Sequence, residues 1–252
     1  MPKIKKVQDI FDQSIVRKPM LFDLPFRVGI IGRSGSGKSN MMINLLDNGF
    51  YKKDFDKDNI YIVSGSLATD DKIKNLVKDR DIPLENLYNG FKECEMTELY
   101  DNLANNYRVA LFEGNKPEHS LIIMDDISFS GSLKDKQHGI ISKLACNSRK
   151  FLVSLIFTAQ KYSQISTTSR ENMTGLISAS CSDKQLELVS SDFNYMGCQK
   201  KFRSVFRKLT DKKFTFFICN LSNEKENRYM DGDFTPICVC DEIKQCNNKV
   251  ID

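Results

Sequence analysis

The chain has 252 residues, with 37 basic against 33 acidic side chains and a formal net charge of +4. Its length predicts one α/β domain with small additions, and 40% hydrophobic with 28% charged residues exclude wholesale disorder. No apolar run approaches the roughly 18–20 residues of a membrane span. The basic N-terminus lacks the apolar core of a secretory signal, so we expect a protein that is not secreted. The small net charge does not by itself indicate a nucleic-acid partner.

The eight cysteines predict the reduced thiols of an intracellular protein. Three of them, Cys238, Cys240 and Cys246, form the one cluster in the sequence. A zinc site there would need a fourth ligand. The two histidines of the chain, His119 and His138, lie far from these cysteines in the sequence. The alternative is two cysteines on a strand and one in a tail.

Strand and helix patterns alternate along the chain after residues 1–25, an N-terminal extension without clear periodicity. Short apolar, β-branched runs predict buried strands at 27–32, 59–65, 119–126, 151–160, 175–181 and 213–222. Helical spacing of apolar residues predicts helices at 39–49, after Asp70, at 97–106, 133–147, after Ser182 (a capping box, S-D-K-Q) and at 199–209. Residues 80–95 read as irregular structure. This alternation predicts an α/β fold, with a mostly parallel sheet between two layers of helices.

Residues 32–39, GRSGSGKS, match the phosphate-loop pattern G-x-x-x-x-G-K-[ST], between a predicted strand and a predicted helix. Glycines let backbone N–H groups surround a phosphate, and the helix N-terminus adds partial positive charge. We expect Lys38 to reach the β- and γ-phosphates of ATP and the Ser39 hydroxyl to bind Mg²⁺. The predicted nucleotide-binding residues are Gly32, Arg33, Ser34, Gly35, Ser36, Gly37, Lys38, Ser39 and Asn40. The alternative is a glycine-rich turn without a ligand.

Polar side chains end the two apolar strands that follow. Asp125 and Asp126 close the strand at 119–126, and ligands bind at the carboxyl edge of a parallel sheet. We expect Asp125 to hold the magnesium through water and Asp126 to act as general base on the attacking water. Gln160 ends the next strand, in T-A-Q, and is expected to contact the γ-phosphate or that water. The alternatives are a turn residue or helix cap for Asp126 and a loop-entry glutamine for Gln160.

This ordered set resembles the FtsK–HerA superfamily of P-loop ATPases, which belongs to the additional-strand class related to RecA. Within it, the chain is similar to the poxvirus-type genome-packaging ATPases of large DNA viruses and virophages. The likeness is carried by GRSGSGKSN (32–40), LIIMDD (121–126) and the segment 148–172, and it spans about residues 26–181. It implies a three-layer P-loop ATPase domain over 26–222, followed by a C-terminal tail, 223–252, packed on it. The glutamine strand would lie between the phosphate-loop strand and the Asp–Asp strand.

The resemblance also implies a homo-oligomeric ring, pentamer or hexamer, that hydrolyses ATP at subunit interfaces and drives double-stranded DNA into a preformed capsid. An arginine from the neighbouring subunit would stabilise transition-state charge, and Arg149 and Arg170 are the candidates. The expected partner is a capsid vertex or portal-like protein, in the host cytoplasm or viral factory, with virion association. One departure is that the superfamily usually has Asp–Glu where this chain has Asp125 and Asp126.

Two segments are candidates for a sequence-independent DNA contact. Residues 199–213, QKKFRSVFRKLTDKK, combine an apolar helical stripe with a basic face, and phosphate contacts alone would suffice to grip DNA. The other candidate is the loop 128–132 together with Lys134 and Lys136. The alternative is a solvated charged face. Two other functions are compatible with a phosphate loop: a nucleoside or nucleotide kinase, and a nucleotide-dependent switch or scaffold with little turnover.

Overall fold

The computed structural model describes residues 15–126 and 139–237. Eight strands form a single sheet in the order β3-β2-β4-β5-β1-β6-β7-β8. Their bounds are β1 (Arg27–Ile31), β2 (Ile60–Ser64), β3 (Leu87–Asn89), β4 (Ser120–Asp125), β5 (Val153–Ala159), β6 (Gly175–Ser178), β7 (Phe217–Asn220) and β8 (Tyr229–Met230). The first six strands in spatial order are parallel, β7 pairs antiparallel with β6, and β8 pairs antiparallel with β7.

Helices cover both faces of this sheet. Their bounds are α1 (Lys38–Leu45), α2 (Asp71–Asp79), α3 (Glu93–Phe112), α4 (Ile140–Asn147), α5 (Thr167–Glu171), α6 (Asp183–Phe193) and α7 (Gln199–Leu209). Short 3₁₀ turns lie at Lys57–Asn59, Leu84–Asn86, Ser148–Phe151, Tyr162–Gln164 and Lys225–Asn227. In the described part of the chain, no helix is both long and apolar enough to cross a membrane.

The core divides into two apolar layers because side chains alternate between the faces of each strand. On one face α1 and α2 pack against the sheet, and on the other α3, α4, α6 and α7 do so. In β4, Ile123 packs in the first layer and Ile122 in the second. This confirms the predicted three-layer α/β fold.

β5 lies between β1 and β4, as the family resemblance implied for the glutamine strand. Ile31 of β1 lies beside Ala159, and Met124 of β4 lies beside Phe157. All seven residues of β5 are buried, which fits a central parallel strand covered on both faces. The ends of the three strands therefore meet at one edge of the sheet.

Several local predictions differ from the structure. The helix predicted at 97–106 runs from Glu93 to Phe112, and the Thr97 hydroxyl donates to the Glu93 carbonyl from inside it, at 2.8 Å. Residues 80–95, which were predicted to be irregular, contain β3. The capping box at Ser182 is not formed, because the Gln185 side chain bonds Ser163 instead. Of the helix predicted at 133–147, only α4 lies in the described residues, and the loop 128–132, Lys134, Lys136 and the cluster of Cys238, Cys240 and Cys246 lie outside them.

The described parts of the predicted extension and tail pack against the sheet. The Tyr51 hydroxyl donates to the Phe22 carbonyl at 2.8 Å, and the Asn220 amide donates to the Leu21 carbonyl at 2.9 Å. Phe234, beyond β8, contacts Phe22, with ring centroids 6.0 Å apart. The predicted tail also supplies β8, the eighth strand of the sheet.

Replacing Gly175 with alanine tests this packing. A Cβ at Gly175 would lie 2.1 Å from Cε1 of Phe22, which is fully buried. We expect Gly175→Ala to lower the free energy of unfolding, measured by urea denaturation, by about 1–3 kcal/mol. Gly65→Ala is the control, because a Cβ there meets nothing within 4 Å, and it should change stability by less than about 0.5 kcal/mol. Equal stabilities for the two variants would contradict this packing.

Candidate active site

The phosphate loop connects β1 to α1 and depends on its glycines. Gly37, immediately before α1, has a φ of 99°, in the left-handed region that favours glycine. A Cβ at Gly32 would lie 2.4 Å from the Ser36 hydroxyl oxygen and 2.9 Å from Cβ of Ala179. The Lys38 ammonium donates to the Arg33 carbonyl at 3.2 Å, across the loop. The loop is thus folded back over the N-terminus of α1, as the motif predicts.

Thr158 contacts both acidic residues at the carboxyl end of β4. Its hydroxyl donates to Oδ1 of Asp125 at 2.7 Å and accepts from the backbone N–H of Asp126 at 3.0 Å. Thr158 is fully buried, and Asp125 is only 5% exposed. Ser64, at the end of β2, lies with its hydroxyl 3.5 Å from Oδ2 of Asp125. Side chains from both neighbouring strands therefore position Asp125.

Asp126 is held in an unusual conformation at the same edge of the sheet. Its φ is 46°, a left-handed value that is uncommon for a residue other than glycine. Its Oδ1 is buried and, among the described residues, has no hydrogen-bond partner. A buried carboxylate oxygen without a partner is costly, and such strained residues are concentrated at functional sites. The carboxylate of Asp126 is therefore poised to accept a hydrogen bond or to face a cation.

Desolvation by burial is the largest cause of the pKa shifts of Asp125 and Lys38. Burial raises the pKa of Asp125, while the hydrogen bond from Thr158 opposes that shift. Burial lowers the pKa of Lys38, because it disfavours the charged ammonium, whereas the negative charges of Asp126 and Asp125 raise that pKa. The ammonium and the carboxylates thus lie close together where water is partly excluded, which strengthens their action on a charged ligand.

These groups line one cavity of about 180 Å³ at the carboxyl edge of the sheet. The predicted residues that line it are Ser34, Gly35, Gly37, Lys38, Ser39, Asp125, Asp126 and Gln160. The structure adds Ser66, Asp70, Lys72 and Thr158, which the sequence analysis did not assign to the site. Ser66, Asp70 and Lys72 follow β2. The only sequence signal that could have placed them at the site is that residues 59–65 are predicted to form a strand, whose carboxyl end they follow. Of the other predicted residues, Gly32, Arg33 and Ser36 belong to the loop without lining this cavity, and Asn40 lines a different one.

The two candidate arginines lie outside this cavity. Arg149 is exposed and precedes β5, whereas Gln160 follows it, so the length of β5 separates Arg149 from the cavity by roughly 20 Å. The guanidinium of Arg170 donates to Asp192 at 3.0 Å and lies 5.0 Å from the ring centroid of Tyr162. The Tyr162 hydroxyl donates to the same carboxylate at 2.7 Å. Arg170 is therefore engaged within its own subunit.

The basic helix forms as predicted, and part of its charge is paired. Arg207 lies 2.7 Å from Asp183 of α6, and Arg203 lies 3.7 Å from Glu187 of the same helix. Lys201 is buried. Within the described residues, the exposed cations of this surface that form no ion pair are Lys200, Lys208, Lys212 and Lys213.

A family model described as poxvirus A32 protein matches residues 14–229. The chain belongs to this family. With the phosphate loop and the Asp–Asp strand described above, it is a P-loop ATPase of the FtsK–HerA type, as the sequence analysis inferred. No curated protein matches the chain.

Solved structures of similar fold include viral packaging enzymes. The genome-packaging NTPase B204 of Sulfolobus turreted icosahedral virus 2, in complex with AMPPCP, is 15% identical, with a TM-score of 0.56, over 82% of this chain and 96% of that chain. The DNA-packaging ATPase B204 of Sulfolobus turreted icosahedral virus is 16% identical, with a TM-score of 0.53, over 82% and 97%. The pCW3 conjugation coupling protein TcpA, with ATPγS, is 16% identical, with a TM-score of 0.52, over 87% and 62%. At these identities the likeness establishes a shared fold.

Removing the hydroxyl of Thr158 tests its role in positioning the two carboxylates. We expect Thr158→Val to lower the rate of ATP hydrolysis by roughly 10–100-fold, because Asp125 and the backbone of Asp126 both lose their partner. Thr158→Ser keeps the hydroxyl and should retain most of the activity. Circular dichroism melting would show that both variants are folded. Equal hydrolysis rates for Thr158→Val and Thr158→Ser would contradict the positioning role.

Proposed function

We propose that this chain is the motor of viral genome packaging: a homo-oligomeric ring that hydrolyses ATP and translocates double-stranded DNA into a capsid. The observation that carries the proposal is the single cavity in which Lys38, Ser39, Asp125, Asp126 and Gln160 meet. Membership of the poxvirus A32 family supports the viral setting, and the B204 proteins of similar fold are packaging enzymes. We place the ring in the host cytoplasm or viral factory, at a capsid vertex or portal-like protein.

The residues of the cavity fit ATP with Mg²⁺. Among the described residues, no group of three acidic, histidine or cysteine side chains forms a metal site by itself. Ser39 and Asp125 would therefore hold Mg²⁺ together with phosphate oxygens and water, as is usual for this ion. The unpartnered oxygen of Asp126 fits such a site. When bound, Mg²⁺ neutralises negative charge on the phosphates.

The chain's own groups supply the rest of the hydrolysis chemistry. The Lys38 ammonium stabilises negative charge on the β- and γ-phosphates, and the N–H groups at the start of α1 bind phosphate oxygens. The Asp126 carboxylate accepts the proton of the attacking water, while the Gln160 amide orients that water. Thr158 keeps Asp125 and Asp126 in position for these roles.

The position of Arg149 favours an active site that is completed by a neighbouring subunit. At the amino edge of its own sheet, Arg149 is too far from its own cavity to contact the nucleotide there. An exposed arginine at that edge suits contact with the carboxyl edge of the next subunit in a ring. Arg170 is less suited to this role, because its side chain is only 14% exposed.

DNA contact in this proposal uses the exposed lysines at the surface of α7 and in the segment that follows it. Lys200, Lys208, Lys212 and Lys213 supply positive charge without base recognition, which suits a motor that must move along any sequence. The ion pairs of Arg203 and Arg207 with α6 reduce the charge available there. We therefore assign the DNA contact to the lysines.

The proposed function is tested by ATP hydrolysis with and without double-stranded DNA. Wild-type protein should hydrolyse ATP faster when DNA of any sequence is added. Lys38→Ala should lower the rate by roughly 10²–10³-fold or more, because a principal stabiliser of phosphate charge is lost. Its melting temperature without nucleotide should match that of the wild type.

The same assay separates the motor from the alternatives. Phosphate transfer to a nucleoside or nucleotide would identify a kinase instead. Nucleotide binding with negligible turnover, both with and without DNA, would identify a switch or scaffold. Unchanged hydrolysis by Lys38→Ala would overturn the site assignment.

Mixing two inactive variants tests whether Arg149 acts on a neighbouring subunit. Arg149→Ala alone should lower hydrolysis by roughly 10³–10⁵-fold. Co-assembly with Lys38→Ala should restore part of the activity, because the intact phosphate loop of one variant then receives the arginine of the other. Arg170→Ala is the comparison: we expect loss of stability, and no such restoration on mixing. If the Arg149→Ala and Lys38→Ala mixture stays inactive although mixed rings form, the assignment is wrong.

A further inference from the structure

A second cavity, of about 400 Å³, lies across Gly37 from the phosphate cavity, and Gly37 lines both. Its walls come from α1, from the aromatic segment before β7 and from the turn after β8. The lining residues that matter are Asn40, Asn44, Phe214, Phe216, Asp231 and Asp233. This volume falls in the range of about 300–1,000 Å³ that is typical of small-molecule sites. Neither the sequence analysis nor the hydrolysis chemistry assigns a role to it.

Phe214 is held at the mouth of this cavity instead of in the core. The residue is 59% exposed, and its φ of 67° lies in the left-handed region, which is strained for an aromatic residue. Its ring packs directly over the phosphate loop, because a Cβ on Gly37 would lie 3.1 Å from Cδ1 of Phe214. Backbone strain that presents an apolar ring to a cavity indicates a functional constraint at this position.

The opposite wall is polar and is locally well ordered. Oδ1 of Asp231 accepts from the backbone N–H groups of Asp233 and Thr235, both at 3.0 Å. These bonds fix the turn that carries the Asp233 carboxylate, for which the described residues provide no ion pair. The Asn40 and Asn44 side chains add amide donors and acceptors from α1. The cavity thus combines a flat apolar surface with hydrogen-bonding groups, which suits a flat heteroaromatic ring with a polar edge.

We propose that this second cavity binds the adenine base of the nucleotide whose phosphates occupy the phosphate loop, with Phe214 stacked on the base. This proposal rests on the proposed function, because it takes ATP as the ligand. The shared residue Gly37 places the two cavities side by side, so the ribose would pass over this glycine. Asn40 would then face the base or ribose, which accounts for its absence from the phosphate cavity.

Binding measurements with and without a base test the proposal. Titration calorimetry would compare ATP with inorganic tripolyphosphate on wild type, Phe214→Ala and Phe214→Tyr. We expect Phe214→Ala to weaken ATP binding by roughly 5–150-fold, the usual range for loss of a base–aromatic stack, and to leave tripolyphosphate binding unchanged. Phe214→Tyr keeps the ring and should retain ATP affinity. Phe112→Ala, which removes a 94% exposed phenylalanine elsewhere, is the matched control and should bind both ligands as the wild type does.

A label on the base tests the same site in the unmodified protein. After irradiation with 8-azido-ATP, we expect the label to map to the peptides that contain residues 214–216 or 231–233. Labelling confined to residues 66–72, on the other side of the phosphate loop, would overturn the proposal. So would equal loss of ATP and tripolyphosphate binding in Phe214→Ala, or no loss of either.

Failure of the base site is distinguishable from failure of the proposed function. If Lys38→Ala weakens both ligands while wild type binds ATP no more tightly than tripolyphosphate, the phosphate site is correct and the base site is wrong. If Lys38→Ala binds both ligands as the wild type does, the phosphate site is wrong, and the base proposal fails with it.

Discussion

The pairing of β5 between β1 and β4 is the constraint on which the site depends. It brings the phosphate loop, the Asp–Asp pair and Gln160 to one edge of the sheet, although they are far apart in sequence. It also places the Thr158 hydroxyl between Asp125 and the backbone of Asp126. If β4 did not pair with β5, neither contact with Thr158 would form. Strand order therefore brings the candidate catalytic groups together and aligns them.

Burial of charged groups makes this site suited to a phosphate ligand. Desolvation raises the pKa of Asp125 and lowers that of Lys38, so burial disfavours the charged form of each group. Asp126 adds a left-handed backbone and an unpartnered oxygen. A cation beside the carboxylates, and phosphates beside Lys38, would offset the unfavourable burial of these charges. Part of the free energy of nucleotide binding would therefore arise at the site where hydrolysis is proposed to occur.

The two edges of the sheet have different properties. The carboxyl edge holds the phosphate cavity, and the amino edge holds Arg149 beside the buried Arg27. Burial, together with the positive charge of Arg149, lowers the pKa of Arg27 to about 10. In the proposed ring, the cationic edge of one subunit would face the anionic nucleotide of the next.

Much of the fold and the loop chemistry followed from local sequence, because a buried strand, a phosphate loop and an amphipathic helix each leave a short-range pattern. The capping box predicted at Ser182 is unformed because a tertiary contact outweighs local preference: the Gln185 side chain bonds Ser163 instead. The sequence by itself determined the phosphate loop, the carboxylates of β4, Gln160 and, through their order, the family. Only the tertiary structure decided that Thr158 joins the site, that Asp192 engages Arg170 and that Phe214 borders a second cavity. These contacts join segments distant in the chain, and no local pattern encodes which segments become neighbours.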